Sequence, residues 1–353
     1  MNPVFIASKN SHAGKTFISI GLGLALIERG FKISYIKPFG KTAIKKGKDI
    51  VDEDALFIKE SLGLTDPVSV VSPFIFTFEA QNAIYDSKTS HIKENVLSAI
   101  NTALNDKDIV LIGGAGDVFE GTVIGIDALT IINETKAKAL VVDIWIGELT
   151  IDTFVSHKKL LGDNFIGAII NKVPANLYNH VKEKAVPFLE KQGIPVFGVF
   201  KKDKVLDAIT VRHLIEVLNG GVLCCEDKLD EFVENFSVGA MDVDTALSYF
   251  RKISNKAVIT GAHRTDIQLV AMETSTKCII LTGGMFTNDV VIGRAQTKGI
   301  PVISVPTDTF TTVEKIEKIM GKTMIREKSK VSRSKDIISA EFDMERFLKI
   351  IKA

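Results

Sequence analysis

Ten residues near the N-terminus, Ala7-Ser8-Lys9-Asn10-Ser11-His12-Ala13-Gly14-Lys15-Thr16, set small side chains, an ammonium group and a hydroxyl in an order that suits phosphate chemistry. Small residues let backbone N–H groups turn toward an anion, and the start of a helix adds partial positive charge at the same place. A lysine there reaches the outer phosphates of a nucleotide, and the following hydroxyl faces a magnesium ion. The segment leaves a short apolar run and opens a helical pattern, the setting such a loop requires. Asn10, Ser11, His12, Ala13, Gly14, Lys15, Thr16 and Phe17 are therefore expected to line a nucleotide, with Lys15 as a catalytic cation and Thr16 at the metal. The pattern departs at Lys9, where glycine is usual. Gly321-Lys322-Thr323 repeats the triplet, but it follows a helical pattern rather than a strand and reads as a chance match.

Later strand ends carry further polar groups. Lys37-Pro38-Phe39-Gly40 offers a second cation able to stabilise developing charge, or simply a solvated lysine. Asp52, Glu53 and Asp54 precede a helix, where acids cap; Asp54 is also a candidate for magnesium. Gly113-Gly114-Ala115-Gly116-Asp117 lets backbone approach phosphates, with Gly114 at the nucleotide and Asp117 as a metal acid. Asp143 is either another acid or a buried structural residue. Asn171-Lys172-Val173 follows a strand; an amide presents a donor beside an acceptor and can pair with a base edge, although Asn before Lys-Val-Pro is also a turn signal. In the second half, Gly261, Gly283 and Gly284 follow apolar runs, with Arg264 and Asp266 nearby. Together they form either a cradle for a phosphate or carboxylate or a set of tight turns. The histidines are scattered without metal spacing.

These residues need a scaffold of strand ends. Continuous apolar runs at 3–7, 32–36, 108–112, 139–144, 165–170 and 195–200 alternate with helical patterns at 16–29, 53–62, 89–105, 127–135, 153–161 and 178–192. Runs without alternation imply burial on both faces, hence a doubly wound parallel α/β sheet covered by helices. The grammar restarts after about Lys201 with shorter runs at 222–225, 256–260, 278–281 and 301–305, a second and smaller α/β domain. The expected division is 1–201, 202–322 and a C-terminal extension at 323–353, with 322–335 running irregularly over the surface and 343–351 forming a closing helix. The balance of 44 basic against 43 acidic residues argues against nucleic acid or an anionic membrane as the main partner. Three cysteines, two of them adjacent, make neither a disulfide framework nor a zinc site. The absence of a signal-peptide pattern or long apolar run leads to a cytoplasmic expectation.

The N-terminal half resembles dethiobiotin synthetase and its relatives, through Gly14-Lys15-Thr16, Lys37-Pro38, Asp54-Ala55-Leu56, Gly114-Ala115-Gly116 and Asn171-Lys172-Val173. The resemblance implies that both lysines contact phosphates, that Asp54 and a glutamate before Gly-Ala-Gly hold Mg²⁺, and that the asparagine meets the base of ATP. Here Gly113 stands at the glutamate position, and Phe39-Gly40-Lys41 replaces the small polar residues on the substrate side. The second half resembles the DRTGG domain, through Thr210-Val211-Arg212, Val238-Gly239-Ala240-Met241, Ile259–Asp266, Leu281-Thr282-Gly283-Gly284 and Asp308-Thr309-Phe310, with Ala262-His263 in place of Gly-Asp. This order is that of the N-terminal region of long bacterial phosphate acetyltransferases. The acetyltransferase domain would follow Ala353, so acetyl transfer is not expected of these residues. Two functions follow. In the first, the chain is a regulatory ATP-binding protein whose second domain takes a small effector and which signals as a homo-oligomer or to a partner enzyme. In the second, it is a Mg-ATP-dependent enzyme that activates a carboxylate.

Overall fold

A computed structural model describes residues 3–285, 287–319 and 328–352. The chain divides into two compact units: one holds the residues up to Lys202 together with the C-terminal helices, and the other begins at Asp203.

The strands of the first unit are β1 (Val4–Ala7), β2 (Ile33–Ile36), β3 (Ala43–Lys46), β4 (Asp49–Asp52), β5 (Ile109–Gly113), β6 (Lys138–Ile144), β7 (Phe165–Val173) and β8 (Val196–Lys201). Six of them form one sheet in the order β2-β5-β1-β6-β7-β8, and every neighbouring pair is parallel. Every residue of β1, β2 and β5 is buried, as continuous apolar runs require of strands covered on both faces. The six apolar runs read from the sequence are these six strands. Because all run the same way, the loops after Ala7, Ile36, Gly113, Ile144 and Val173 leave from one edge, where ligands bind in such sheets. The remaining pair, β3 and β4, is an antiparallel hairpin turning at Gly47, whose φ is +65°. It inserts between β2 and helix α2 (Glu53–Ser61).

Helix α1 (Lys15–Glu28) is buried along most of its length, Phe17 to Leu26. One of its covers is the helix Lys328–Glu341. A β-carbon on Gly21 would lie 2.5 Å from Ile338 Cγ1 and 2.7 Å from the Ser334 carbonyl, so the two helices meet backbone to backbone. Lys330, Ser334 and Ile338 are buried there. The irregular surface course expected for 322–335 is thus corrected over 328–335; residues 322–327 and the Gly321-Lys322-Thr323 triplet lie outside the described residues. The contact escaped the apolar pattern because it centres on a glycine, a serine backbone and a single isoleucine rather than on an apolar stripe. The final helix, Met344–Lys352, closes over β8 through Phe197, Phe342 and Phe347, whose ring centroids lie 5.4–5.8 Å apart. The pattern at 178–192 is not one α-helix: Val181–Ala185 forms a π turn just ahead of Pro187, whose missing N–H interrupts the regular ladder. Helices Val68–Val71 and Phe78–Tyr85 went unread; the second has no buried residue to mark its face.

The second unit holds β9 (Ile209–Thr210), β10 (Gly221–Cys224), β11 (Phe232–Val233), β12 (Asn235–Val238), β13 (Lys256–Gly261), β14 (Thr276–Thr282) and β15 (Val302–Val305). Five make a sheet in the order β10-β15-β14-β13-β12, parallel except for β10. Strand β12 was missed because it is an edge strand, mixed in polarity and only partly buried. Among the described residues, no helix is long and apolar enough to cross a membrane.

Replacing Gly21 with valine should force the two helices apart and lower the unfolding free energy by about 1–3 kcal/mol, as overpacking does. Urea denaturation of wild type and Gly21→Val measures it, and equal midpoints would remove this contact from the fold.

Candidate nucleotide site

The loop between β1 and α1 turns on Gly14. Its φ of +107° suits only glycine, and a β-carbon there would stand 2.1 Å from Asn171 Nδ2. Gly14 is also the residue before the helix; it offers no side-chain cap, and the first turn carries no acid. The first bond inside the helix runs from Ile18 N to Gly14 O at 2.9 Å, so the amides of Lys15, Thr16 and Phe17 precede it. An uncapped helix start of this kind favours an anion. Phe17 can contribute only its backbone there, because its ring packs edge-on against Phe200 at 5.5 Å. Asn10, Ser11 and His12 are exposed along the loop, Ala13 and Gly14 are buried, and His12 adopts a left-handed φ of +66°.

Asn171, expected at the base edge, lies beneath this loop. Its Nδ2 donates to the Ala13 carbonyl at 2.9 Å, and its Oδ1 accepts from Lys172 N at 2.9 Å. In this structure it is a buried brace that ties the end of β7 to the phosphate loop. Lys172 takes a left-handed φ of +52°, and Val173 is fully buried and pairs with Lys201.

Lys15 Nζ donates to Ser8 Oγ, to the Gly116 carbonyl at 3.1 Å and to the Asn10 carbonyl at 3.2 Å. Burial, reinforced by Lys37 and Lys41, lowers its pKa to about 8, while Glu120 and Asp143 act the other way. Asp143 itself is buried at the end of β6, its Oδ1 accepting from Ile144 N. Lys37 is held differently: its Nζ lies 2.7 Å from Asp52 and 3.1 Å from Asp54. Burial opposes its charge, but the two carboxylates outweigh burial and raise its pKa. Asp52 is fully buried and satisfied on both oxygens. Oδ1 takes Lys37 and caps α2 at Ala55 N (3.0 Å), and Oδ2 takes the amides of Lys41 (2.8 Å) and Thr42 (3.1 Å). Burial pushes its carboxyl up, yet Lys37 and these hydrogen bonds hold it below its usual range. The hairpin delivers Asp52 to this position. Gly40 makes room for it, since a β-carbon there would sit 2.6 Å from Asp52 Cβ. Asp54 remains partly exposed beside Lys37.

At the end of β5, Gly113 is bare because the Tyr35 hydroxyl fills the space beside it, 2.1 Å from where a β-carbon would be. The glutamate that the resemblance places here has no room. Gly114 packs on β1, its N–H donating to the Ile6 carbonyl at 3.1 Å. Asp117, expected at the metal, builds a turn through one oxygen, its Oδ1 accepting from the amides of Phe119 (2.8 Å) and Glu120 (3.0 Å). The acid which that turn brings back to the loop is Glu120. Its carboxylate accepts from Gly116 N and pairs with Lys41. Neither Glu120 nor the Tyr35 plug has a sequence signal; Glu120 stands in a stretch without periodicity, and only the turn aims it.

In the second unit, the ends of β12 to β15 share one edge, as parallel strands require. Arg264 is closed on its neighbours. It donates to both oxygens of Asp266, each at 3.0 Å, and to the Met241 carbonyl at 2.9 Å. The amides of Gly283 and Gly284, with φ of +91° and +67°, are spent on the Thr307 and Val305 carbonyls. Gly261 accepts from the buried Gln268, whose Oε1 in turn accepts from Thr287. In this structure these residues form hydrogen-bonded turns, because the glycines supply the backbone angles that join β14 to the loop after β15.

A family model described as an AAA domain matches residues 2–210, and a DRTGG domain model matches residues 213–319. Over 98% of its length the chain is 21% identical to a phosphate acetyltransferase of Pseudomonas aeruginosa, covering 51% of that protein. It is 26% identical to an ATP-dependent dethiobiotin synthetase of Nitrosopumilus maritimus over 40% of this chain and 63% of that one. The chain spans about half the length of the phosphate acetyltransferases it matches. Among solved structures it is similar to the cell division ATPase MinD of Pyrococcus furiosus, with a TM-score of 0.34 and 18% identity, covering 58% of this chain and 86% of that one. Since the match at residues 2–210 takes in more than half of its length, the chain belongs to the AAA domain family, its P-loop domain related to dethiobiotin synthetase and followed by a DRTGG domain.

Proposed function

We propose that the first unit binds Mg-ATP as a regulatory ligand and that the DRTGG domain takes a second, small effector, the two together controlling a partner enzyme or a second copy of the chain. The observation that carries this reading is the start of α1: a glycine-turned, uncapped helix end with Lys15 folded beside it. Two features favour binding over rapid phosphoryl transfer. Lys37, the second cation, is already neutralised by Asp52 and Asp54. The end of β5 carries no acid and has no room for one beside Tyr35. Among the described residues, no three His, Cys, Asp or Glu side chains gather as a metal nest. Magnesium brought by the phosphates would be held by the Thr16 hydroxyl and Asp54, and would neutralise phosphate charge there. The alignment along half of several phosphate acetyltransferases supports a regulatory place beside a metabolic enzyme.

Calorimetric titration with Mg-ATP should show saturable binding that Lys15→Ala abolishes or weakens by about 100-fold, the value of a charged phosphate contact beside a helix start. Turnover should stay far below the ~1–100 s⁻¹ of phosphoryl-transfer enzymes; steady turnover in that range would favour the carboxylate-activating enzyme instead.

The state of Lys15 adds a pH signature. Its folded pKa, near 8 against an ordinary 10.5, means that its protonated form opposes folding below pH 8. That penalty is relieved as pH rises from about 8 toward 10.5. Phosphates beside the ammonium restore its charge, so binding at pH 8 should take up a proton and weaken as pH rises further. Titrations at pH 8 in two buffers of different ionisation enthalpy read the proton directly; identical heats would show that Lys15 does not meet the phosphates.

A further inference from the structure

Three loops of the first unit converge on one bare peptide. Gly116 has no side chain, and a β-carbon on it would meet Glu120 Oε2 at 2.7 Å, Ser11 Oγ at 2.9 Å and Lys41 Nζ at 3.1 Å. Ser11 comes from the phosphate loop, Lys41 from the segment after β2, and Glu120 from the turn after β5. The Gly116 carbonyl accepts from Lys15 Nζ, and its N–H donates to the Glu120 carboxylate, which also pairs with Lys41. A carboxylate that takes a backbone amide and an ammonium group together is bound as a phosphate oxygen would be.

We propose that this position, between Lys41 and the Gly116 amide, is the seat of an anionic oxygen group of the ligand, and that Glu120 is a resident competitor displaced when that group arrives. The proposal rests on the nucleotide reading and deepens it. Lys41 then becomes a specificity residue, selecting an anion.

The contrast with Asp52 shows why Glu120 is the acid that leaves. Asp52 is fully buried, holds Lys37 and three backbone amides, and caps a helix. Glu120 sits on an exposed turn between the half-exposed Phe119 and Gly121, whose φ is +98°. Beyond its own loop, the ion-pair partner of its carboxylate among the described residues is Lys41. Swinging it out breaks its contacts with the Gly116 amide and Lys41. The charges favour the exchange as well: Lys15 and Lys41 repel each other across Gly116, and a multiply charged phosphate relieves that repulsion better than one carboxylate.

The terminal phosphate of a triphosphate and a separate phosphate or carboxylate share this chemistry, and titration of the full chain separates them. Wild type and Glu120→Gln are titrated with Mg-ATP, with Mg-ADP, and with Mg-ADP in millimolar inorganic phosphate. If the seat takes the terminal phosphate, Glu120→Gln binds ATP about 10-fold tighter than wild type, while ADP changes less than about twofold. Lys41→Ala then weakens ATP and spares ADP. If the seat takes a separate anion, ATP and ADP are unaffected, but phosphate tightens ADP binding to Glu120→Gln more than to wild type. Weaker ATP binding by Glu120→Gln, the mark of a metal ligand, overturns the proposal, as does no change in any arm. Where wild type binds ATP and loses it in Lys15→Ala, such a result sinks this inference alone. Where neither wild type nor Glu120→Gln binds any nucleotide, the nucleotide reading falls with it.

Discussion

At Gly14 the chain passes from loop to helix through a backbone angle of +107°, and the Asn171 amide stands where any side chain would have to go. The arrangement at the first unit's ligand edge follows from this single closure. The Asn171 Nδ2 bond to the Ala13 carbonyl ties the end of β7 to the loop leaving β1, across the intervening β6. With that tie made, the helix start and Lys15 face the loops that follow β2 and β5. A larger residue at Gly14 would open the loop, and the amides at the start of α1 would lose their common direction.

Around this cup the ionisable groups fall into two classes. Lys37 and Asp52 are buried partners whose removal would leave an uncompensated charge, so they behave as framework. Lys15 is held by a hydroxyl and carbonyls, and Lys41 and Glu120 by each other and by a backbone amide, the contacts that the proposed anion would replace. The partner separates the classes: burial weighs on Lys15 and Lys37 alike, but Lys37 is held by two carboxylates, whereas Lys15 is held by a hydroxyl and two backbone carbonyls. The Tyr35 hydroxyl belongs to the first class in effect, since it occupies the place beside Gly113 and shifts the acid of the site from β5 itself to the turn beyond it.

The second unit spends its special residues differently. Gly283 and Gly284 use their left-handed angles to join strand ends, and Arg264 is neutralised by Asp266 within its own loop. The DRTGG match covers these residues.

The sequence by itself determined the six strands of the first unit's parallel sheet, because runs such as Val4–Ala7 and Ile109–Gly113 are apolar on both faces and have no stable place except inside a covered parallel sheet. It also determined the phosphate loop, since Gly14-Lys15-Thr16 after a strand and before a helix is a local feature, complete within ten residues. Tertiary structure alone decided the rest of the site. Asp117 and Glu120 are both carboxylates and stand three residues apart, yet the first builds a turn through one oxygen and that turn presents the second. Asn171 carries the same amide whether it reads a base or braces a loop, and only its distance to Ala13 distinguishes them. The helix at Lys328–Glu341 was hidden for the same reason, its seat on α1 being a glycine rather than an apolar stripe. Periodicity reports which face of an element is buried, whereas the Gly116 and Ala13 carbonyls that receive Lys15 and Asn171 come from chain segments more than a hundred residues away.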